Sequence, residues 1–269
     1  MVNLHTISSS SNEKIKRLKS LYTKKGREEN NLFVVEGEKF IAEISCDFII
    51  DSIFLSESYY EKNNNKLNLG SEYFIVKDNI FKSISDTVNP QGIIAVVQEK
   101  QYNITNIFLK ENPFLIIAEN IQDPGNMGSL IRSSDAFGAD CVIACECADI
   151  YSPKVIRATA GSIFHIPVIK MPFEAIINIL KEKSIKIIGT YLKDAKDPED
   201  INFKEGSALI IGNEGAGISL EAVKASDAFV KIPMSGRAES LNASVASGVL
   251  LYEVQRQRNN KKERNNYNE

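Results

Sequence analysis

Three separated stretches in the C-terminal part of the chain combine turn-forming backbone with polar side chains that could do chemistry. They are residues 120–128 running on to Arg132, residues 212–217, and residues 232–242. An arginine beside Asn126 can hold a phosphate or stabilise negative charge that develops on an oxygen. Glu214 is an isolated carboxylate in a glycine-rich loop, which suggests a hydrogen bond with a hydroxyl or a backbone amide. Together the three stretches predict one ligand site.

The elements that flank these stretches predict where the stretches lie. The apolar runs that predict strands are 114–118, 141–144, 167–169, 185–190, 208–211 and 229–232. The segments that predict helices are 128–137, 153–160, 173–183 and 219–225, with a last helix starting near Leu241. Such alternation predicts a parallel sheet with helices on both faces. All three stretches would then lie at the carboxyl ends of strands, where open α/β sheets bind ligands.

The second stretch is not a common nucleotide-binding motif. Its glycines at 212, 215 and 217 have the reverse spacing of GxGxxG, and no strand-end acid follows about 20 residues later. No Gly-Lys-Ser/Thr follows either, which disfavours a P-loop. The chain therefore does not fit a nucleotide-dependent dehydrogenase, although the β–α alternation alone would allow one. Glycines here permit unusual backbone angles and the close approach of a flat ligand.

The third stretch leads into the last helix. Ser240 is a natural N-cap, and Asn242 beside it is the position singled out as functional. An apolar stripe follows, for which packing in the core of this chain is favoured over packing against a partner helix. The stripe consists of Leu241, Val245, Val249, Leu250 and Val254.

The chain up to residue 103 has a different character and predicts a small mixed α/β domain. Polar residues dominate between Gln98 and Asn112, where residues 104–112 are predicted to be a linker; residues 113–258 are predicted to form the β–α alternating domain, and residues 259–269 a flexible tail. Within the first domain, residues 14–27 predict one amphipathic helix with no acidic residue. Its basic side chains are Lys14, Lys16, Arg17, Lys19, Lys24, Lys25 and Arg27. They are either a solvated surface or an RNA-binding face.

Composition excludes several classes of protein. A chain of 269 residues with 43% hydrophobic and 25% charged residues is typical of a globular protein, and its net charge of −3 argues against a wholly basic coat protein. No window approaches a membrane span, and the N-terminus lacks an export signal, so a cytoplasmic location is expected. The cysteines, with no CxxC pair, predict buried free thiols, and two isolated histidines predict no metal site. They are Cys46, Cys141, Cys145, Cys147, His5 and His165.

The three stretches, in this order, resemble the motifs of the SpoU, or TrmH, branch of the SPOUT RNA methyltransferases. The resemblance covers the region from about Pro113 to Val254. The segments 10–16 and 33–37 look like the substrate-binding domain often fused to this family. The resemblance implies an α/β fold whose C-terminal part forms a deep trefoil knot, an exception to the near absence of knots. It further implies a homodimer with the active site near the subunit interface.

The activity implied is transfer of a methyl group from S-adenosylmethionine to a ribose 2′-hydroxyl of RNA. By the resemblance, the cofactor-binding residues are Thr190, Gly212, Ile232, Met234 and Leu241, and the catalytic or supporting residues are Asn126, Arg132, Glu214, Ser240 and Asn242. The family mechanism makes Arg132 a base, but a guanidinium does not readily lose a proton. We therefore expect Arg132 to bind the adjacent phosphate and stabilise the reacting oxygen.

The RNA is expected to be ribosomal, by analogy with relatives that carry the same N-terminal domain. A transfer RNA 2′-O-methyltransferase is the alternative substrate prediction. A catalytically silent RNA-binding or ribosome-assembly factor is a further alternative, which the presence of all the polar motif residues together disfavours.

Overall fold

The structure, a computed structural model, describes residues 4–63, 72–237 and 240–265, and the side chains as far as residue 259. The strands are β1 (Leu4–Ile7), β2 (Leu32–Glu36), β3 (Ile50–Ser56), β4 (Glu72–Val76), β5 (Ile93–Gln98), β6 (Phe114–Glu119), β7 (Cys141–Cys145), β8 (Val168–Lys170), β9 (Lys186–Thr190), β10 (Ser207–Ile211) and β11 (Ala228–Val230). The helices are α1 (Glu13–Ser20), α2 (Lys24–Asn30), α3 (Glu38–Ala42), α4 (Glu57–Asn63), α5 (Asp78–Ile84), α6 (Pro124–Ala136), α7 (Pro153–Thr159), α8 (Phe173–Glu182), α9 (Leu220–Ala225) and α10 (Ala243–Asn265). Among the described helices, none combines the length and apolar composition that a membrane crossing requires.

Two compact units divide the chain. Unit 1 comprises Met1–Lys100 and Tyr151–Phe164, and unit 2 comprises Gln101–Ile150 and His165–Glu269. Residues 151–164 were predicted to belong to the C-terminal domain, whereas the structure places them in unit 1. Their aromatic side chains explain the difference: the ring of Tyr151 stacks on Phe33 at 4.6 Å, and Phe164 packs edge-on against Phe48 at 5.1 Å. The predicted linker instead contains a 3-10 turn, Ile104–Leu109, whose Ile107 joins the core of unit 2.

Unit 1 is built on a mixed sheet with the strand order β1-β4-β3-β5-β2. The first three strands are parallel, and β5 runs antiparallel to β3 and to β2. The apolar runs of the sequence predict β2 to β5, but β1, α4 and α5 were not predicted. One face of the sheet is covered by α1 and α5, whose Ile15, Leu18 and Phe81 are buried against Phe54 and Phe74.

Unit 2 contains a parallel sheet with the strand order β11-β9-β10-β6-β7-β8. Each of these strands was predicted, and each starts within one residue of the predicted position. Leu115 and Ile117 of β6 join a core with α8 and α9. Because side chains alternate along a strand, Phe114 points the other way, where the guanidinium of Arg258 from α10 lies over its ring at 5.0 Å. The α/β class with helices on both faces is confirmed, while the trefoil knot stays a prediction.

Helix α6 begins one turn earlier than predicted. The Asp123 carboxylate accepts a hydrogen bond of 2.8 Å from the backbone N–H of Asn126, and Pro124 occupies the first helical position. This cap and proline stabilise the first turn although glycine and asparagine are poor helix formers. The helix ends at Ala136, one residue before the predicted end, and Gly138 follows with a φ of 73°.

Helix α10 extends to Asn265, so residues 259–265 continue this helix; the flexibility of the tail stays a prediction, and residues 266–269 lie outside the described residues. Arg258 anchors this helix, because its guanidinium donates hydrogen bonds of 2.8–3.0 Å to the backbone carbonyls of Phe203, Asn112 and Glu205. Gln257 accepts a further hydrogen bond from the N–H of Phe203.

Candidate active site

A cavity of about 480 Å³ lies where β9, β10 and β11 end. In the sheet, β10 lies between β6 and β9. The connection after β6 leads towards β7, and the connection after β10 leads in the opposite direction, towards β11. Parallel sheets usually bind ligands beside the point where the connections diverge in this way. The lining residues come from the strand ends, from the loops that follow them and from α10. They include Thr190, Tyr191, Leu192, Lys193, Ile211, Gly212, Glu214, Ile218, Val230, Ile232, Met234, Ser240, Leu241, Ala246 and Leu250.

The loop after β10 is closed by its own backbone. Asn213 and Gly217 exchange two backbone hydrogen bonds of 2.9 and 3.0 Å. A Cβ atom at Gly212 would lie 2.3 Å from the carbonyl carbon of Gly217, so only glycine fits there. We expected Gly212 to allow a ligand to approach, but the group that approaches it is this loop. Its role is therefore to let the cavity wall fold back on itself.

A chain of side-chain hydrogen bonds connects all three motif loops. The amide nitrogen of Asn126 on α6 donates to the carboxylate of Glu214 at 2.5 Å, and the amide nitrogen of Asn242 donates to the Asn126 oxygen at 2.8 Å. Glu214 was predicted to bind a hydroxyl or a backbone amide, but its partner is this side-chain amide. The three residues lie far apart in the sequence and meet because the fold closes the crevice.

Asn242, and not Ser240, caps helix α10. The Asn242 side-chain oxygen accepts hydrogen bonds from the backbone N–H groups of Ser244 at 2.9 Å and Val245 at 3.4 Å. The helix accordingly starts at Ala243, two residues later than predicted. Ser240 remains exposed on the cavity wall. Asn242 therefore has two roles, since one end of its amide caps α10 and the other end holds Asn126.

Sequence reasoning missed two residues that position the loops. The Glu119 carboxylate, at the end of β6, accepts hydrogen bonds from the N–H and the hydroxyl of Ser219, which is the N-cap of α9. Asn213 donates from its side chain to the Asn120 carbonyl at 3.1 Å and accepts from two amides of its own loop. A polar residue that directly follows a buried strand is the only signal that could have indicated them.

Arg132 is not brought to the cavity of this chain. It is exposed on α6, and within the described residues its side chain makes no hydrogen bond or ion pair. Asn126 and Arg132 are six residues apart, which separates them by about 9 Å along the helix and places them on different faces. The expectation that they lie side by side is therefore wrong for a single chain.

The apolar stripe of α10 divides into two faces. Leu250 and Val254 are buried, as predicted for core packing, whereas Val245 and Val249 are 52% and 43% exposed. Tyr252, at 57% exposure, continues the exposed face. Helix α10 packs beside α6, and the ring of Tyr252 meets Phe137 edge-on at the end of α6. This face is apolar and uncovered within the described part of the chain.

The predicted cofactor-binding residues share the cavity. Thr190, Gly212, Ile232, Met234 and Leu241 all line it. Its volume falls within the roughly 300–1,000 Å³ of small-molecule sites. Apolar side chains and loop backbone suit a flat heterocycle with a polar tail, such as the adenosine and amino acid parts of S-adenosylmethionine. Their role in binding stays a prediction, as do the roles of the catalytic residues.

The predicted basic helix of residues 14–27 is two helices. Thr23 caps α2, and a Cβ at Gly26 would lie 2.1 Å from the Ser20 carbonyl oxygen, so the chain turns sharply between α1 and α2. Arg27 is 4% exposed and donates to the Leu21 carbonyl at 2.7 Å, which makes its prediction as an RNA-binding residue wrong. Five other cations of this segment pair with carboxylates at 2.7–3.7 Å, whereas the exposed Lys19 makes no ion pair within the described residues; the five are Lys14, Lys16, Arg17, Lys24 and Lys25.

All four cysteines are free thiols, and Cys141 and Cys145 are buried, as predicted. Cys147 is half-buried, and the prediction of burial is wrong for Cys46, which is exposed. Burial raises the pKa of Cys145 to about 12 and that of Cys147 to about 11. His165 is a surface histidine whose Nδ1 lies 3.1 Å from the Asp135 carboxylate. No group of potential metal ligands occurs among the described residues.

Known proteins share both parts of this architecture. The family model of the SpoU rRNA Methylase family matches residues 113–252, and that of the MRM3-like substrate binding domain matches residues 12–95. The chain is 32% identical to the 23S rRNA (guanosine(2553)-2′-O)-methyltransferase RlmP of Bacillus subtilis (strain 168), over 92% of this chain and 98% of that protein.

Solved structures agree with these matches. The AdoMet-bound rRNA methyltransferase from Sinorhizobium meliloti has a TM-score of 0.84 at 29% identity, covering 94% of this chain and 98% of that one. The SpoU methyltransferase AviRb from Streptomyces viridochromogenes, in complex with AdoMet, has a TM-score of 0.83 at 27% identity, covering 92% and 98%. With the crevice loops and the matched family model, this chain belongs to the SpoU rRNA methylase family.

Proposed function

We propose that this protein methylates a ribose 2′-hydroxyl of ribosomal RNA, with S-adenosylmethionine as the methyl donor. The observation that carries the proposal is the cavity lined by the second and third motif loops, to which the first loop is joined through the Glu214–Asn126–Asn242 hydrogen bonds. RlmP and the rRNA methyltransferase from Sinorhizobium meliloti support a ribosomal substrate, and the match of unit 1 residues to a substrate-binding domain supports an RNA-binding role for that unit. Such a substrate also agrees with the expected cytoplasmic location.

The cavity is suited to the donor. Ile211, Ile218, Val230 and Leu250 provide apolar walls for the adenine ring, and the loop backbone around Gly212 provides hydrogen-bonding groups. When bound, S-adenosylmethionine supplies a methyl group on a positively charged sulfur, which needs no metal to be transferred. The protein has only to exclude water and hold the acceptor hydroxyl in line.

The polar chain beside the cavity orients the acceptor side. Glu214 accepts from Asn126, and Asn126 accepts from Asn242, so each amide is held in one orientation. A side chain fixed in this way can hold a ribose without reorganising during the reaction. Arg132 binds the phosphate next to the reacting ribose and stabilises negative charge on its oxygen, while the proton leaves through water or a neighbouring group.

The position of Arg132 supports a homodimer. Since Arg132 lies away from its own cavity, a second copy must present an equivalent arginine if this residue acts at the site. The exposed face of Val245, Val249 and Tyr252 provides an apolar contact surface beside α6, the helix that carries Arg132. A two-fold contact through this face buries the same side chains of both copies.

Two measurements test the proposed function. Titration calorimetry with S-adenosylmethionine should show one site per chain, and no binding would favour a catalytically silent RNA-binding or assembly factor. Ribose-methylation mapping of total RNA, in cells with and without the gene, should show one lost modification in ribosomal RNA. A modification lost from transfer RNA would instead support the alternative substrate, and an unchanged map would contradict the proposal.

A further inference from the structure

Unit 1 contains a second cleft, of about 360 Å³, which the predicted site residues do not touch. We call it the Lys39 cleft. It lies between the turn after β2, the loop before β5 and helix α7. Its lining residues are Glu36, Gly37, Lys39, Phe40, Glu43, Thr87, Asn89, Gln91, Arg157 and Ala160.

The loop that forms one wall of this cleft is held rigidly. The Glu36 carboxylate accepts hydrogen bonds from the hydroxyls of Ser85 and Thr87 and from the backbone N–H of Asp86. The side-chain oxygen of Gln91 accepts from the N–H of Glu38 at 2.9 Å, which ties the other end of the loop to the opposite wall. The loop is therefore shaped in advance and needs little ordering to bind a ligand.

This rigid loop presents an apolar side chain to solvent. Val88, between Thr87 and Asn89, is 96% exposed, more than any other large hydrophobic residue that the structure describes. The ring of Phe40 is half-buried in the wall of the same cleft. Asn89 and Gln91 line the cleft with Phe40, and their side-chain amides can donate and accept hydrogen bonds, whereas Val88 lies beside the lining residues Thr87 and Asn89.

The charge of the cleft favours an anion at Lys39. Glu36 is satisfied by its three donors, the Asp86 carboxylate pairs with Arg157 at 2.9 Å, and Glu43 has an interaction partner of its own. Lys39, in contrast, is exposed and makes no ion pair or hydrogen bond within the described part of the chain. A cation without a partner beside apolar and amide groups matches a nucleotide, which combines a phosphate with a flat base.

We propose that the Lys39 cleft binds an unpaired nucleotide of the RNA substrate, and this rests on the proposed function. Lys39 neutralises its phosphate, Phe40 and Val88 pack against the base or the ribose, and the amides of Asn89 and Gln91 contact the base edge. Single-stranded RNA is suited to this site because an unstacked base exposes both a face and hydrogen-bonding edges. A paired base in an A-form helix is stacked on its neighbours, and its major-groove edge lies in a deep, narrow groove that side chains cannot reach.

The α1–α2 surface fits an RNA phosphate less well. There the cations predicted to bind RNA, apart from the buried Arg27, pair with carboxylates such as Glu72, Asp51 and Glu28. Lys19 makes no ion pair within the described residues, but it lines neither of the two cavities described above. A phosphate would have to displace those partners, whereas Lys39 has none to lose. The cleft therefore provides the stronger contact within unit 1.

The test compares single variants of the full-length protein for binding to protein-free ribosomal RNA over a range of salt concentrations. Lys39→Ala should weaken binding about tenfold and lower the slope of log Kd against log salt by about 0.7, the contribution of one single-strand phosphate. Val88→Ser should weaken binding severalfold at an unchanged slope, because no charge is lost. Matched controls are Lys24→Ala and Ile49→Ser, which change an exposed lysine and an exposed apolar residue of unit 1 elsewhere.

The outcomes separate this proposal from the proposed function. All variants should bind S-adenosylmethionine as the wild type does, and methylation at saturating RNA should be unchanged. If the wild type binds and methylates ribosomal RNA but Lys39→Ala and Val88→Ser bind it normally, the cleft proposal is wrong and the function stands. A larger loss with Lys24→Ala than with Lys39→Ala would assign the phosphate contact to α2 instead. A wild type that does not bind ribosomal RNA would overturn both proposals.

Discussion

The side-chain amide of Asn126 donates a hydrogen bond of 2.5 Å to the Glu214 carboxylate, 88 residues further along the chain. The oxygen atom of the same amide accepts a hydrogen bond from the side-chain amide of Asn242. One side chain thus holds the loop after β10 and the start of α10 together at the cavity mouth. The orientation of Asn126 is set by both neighbours, because an amide has one donating and one accepting end.

Asn242→Asp separates the two roles of this residue. Aspartate keeps the oxygen that caps α10 but loses the N–H donor to Asn126. We expect the melting temperature to stay near that of the wild type and single-turnover methylation to fall by ten- to a hundredfold, since a positioning hydrogen bond is lost. Asn242→Ala, which removes the cap as well, should also cost about 1 kcal/mol of stability. Full activity of Asn242→Asp would show that the hydrogen bond to Asn126 does not matter.

Gly212→Ala should abolish cofactor binding. The added Cβ would meet the backbone of Gly217 at 2.3 Å, so the loop after β10 must open and the cavity must lose its wall. Calorimetry with S-adenosylmethionine is the measurement. Gly236→Ala is the control, because a Cβ at that position meets nothing within 4 Å. Wild-type affinity of Gly212→Ala would mean that this wall does not contact the donor.

Arg132→Lys tests the phosphate-binding role of the guanidinium. Lysine keeps the charge but loses the two-pronged geometry, so methylation should fall by at least about tenfold while binding of S-adenosylmethionine is unchanged. Arg132→Ala should be weaker still. Near-normal turnover of Arg132→Lys would count against two-pronged binding, and full turnover of Arg132→Ala would remove this residue from the mechanism.

Val249→Glu tests the proposed dimer. A carboxylate in the middle of the exposed face of α10 would have to be buried unpaired in a two-fold contact. Sedimentation should then show a monomer, and methylation should be lost because Arg132 no longer meets a partner's cavity. Ile49→Glu, which places the same charge on an exposed apolar position of unit 1, should leave both properties unchanged. A monomeric wild type would contradict the homodimer directly.

The free energy of unfolding should fall at alkaline pH because the thiol of Cys145 is buried. Burial raises the pKa of Cys145 from 9.0 to about 12, so the unfolded chain loses this proton before the folded chain does. The stability from this thiol is fully present below about pH 9 and is lost as the pH rises towards the folded value. Urea unfolding at pH 8 and pH 10 should show this loss. Cys145→Ala should show a smaller loss, and an identical pH dependence would contradict the assignment.

The strands of unit 2 could be predicted because each is a short apolar run between turn residues. Strands that are buried on both faces have this pattern whatever the rest of the chain does. The start of α6 was predicted too late because residues 123–125 were assigned to a turn, whereas Asp123 is the N-cap and Pro124 the first helical residue, a pattern that also marks helix starts.

The predicted helix of residues 14–27 failed for a related reason. Its apolar periodicity ends at Tyr22, and the turn depends on the contact of Gly26 with Ser20, which no periodicity shows. The burial of Arg27 follows from that turn. Similarly, motif resemblance indicated Asn126, Glu214 and Asn242 one by one, whereas the hydrogen bonds among them depend on the path of the whole chain.

Helix α10 has a consequence for synthesis on the ribosome. Ala246 and Leu250 form part of the cavity wall, and Arg258 locks the same helix to the carbonyls of Asn112, Phe203 and Glu205. A nascent chain that still lacks this helix therefore has a sheet with an open trough in place of the pocket. During synthesis the methyl donor can bind only once this helix has left the ribosome and docked on the sheet.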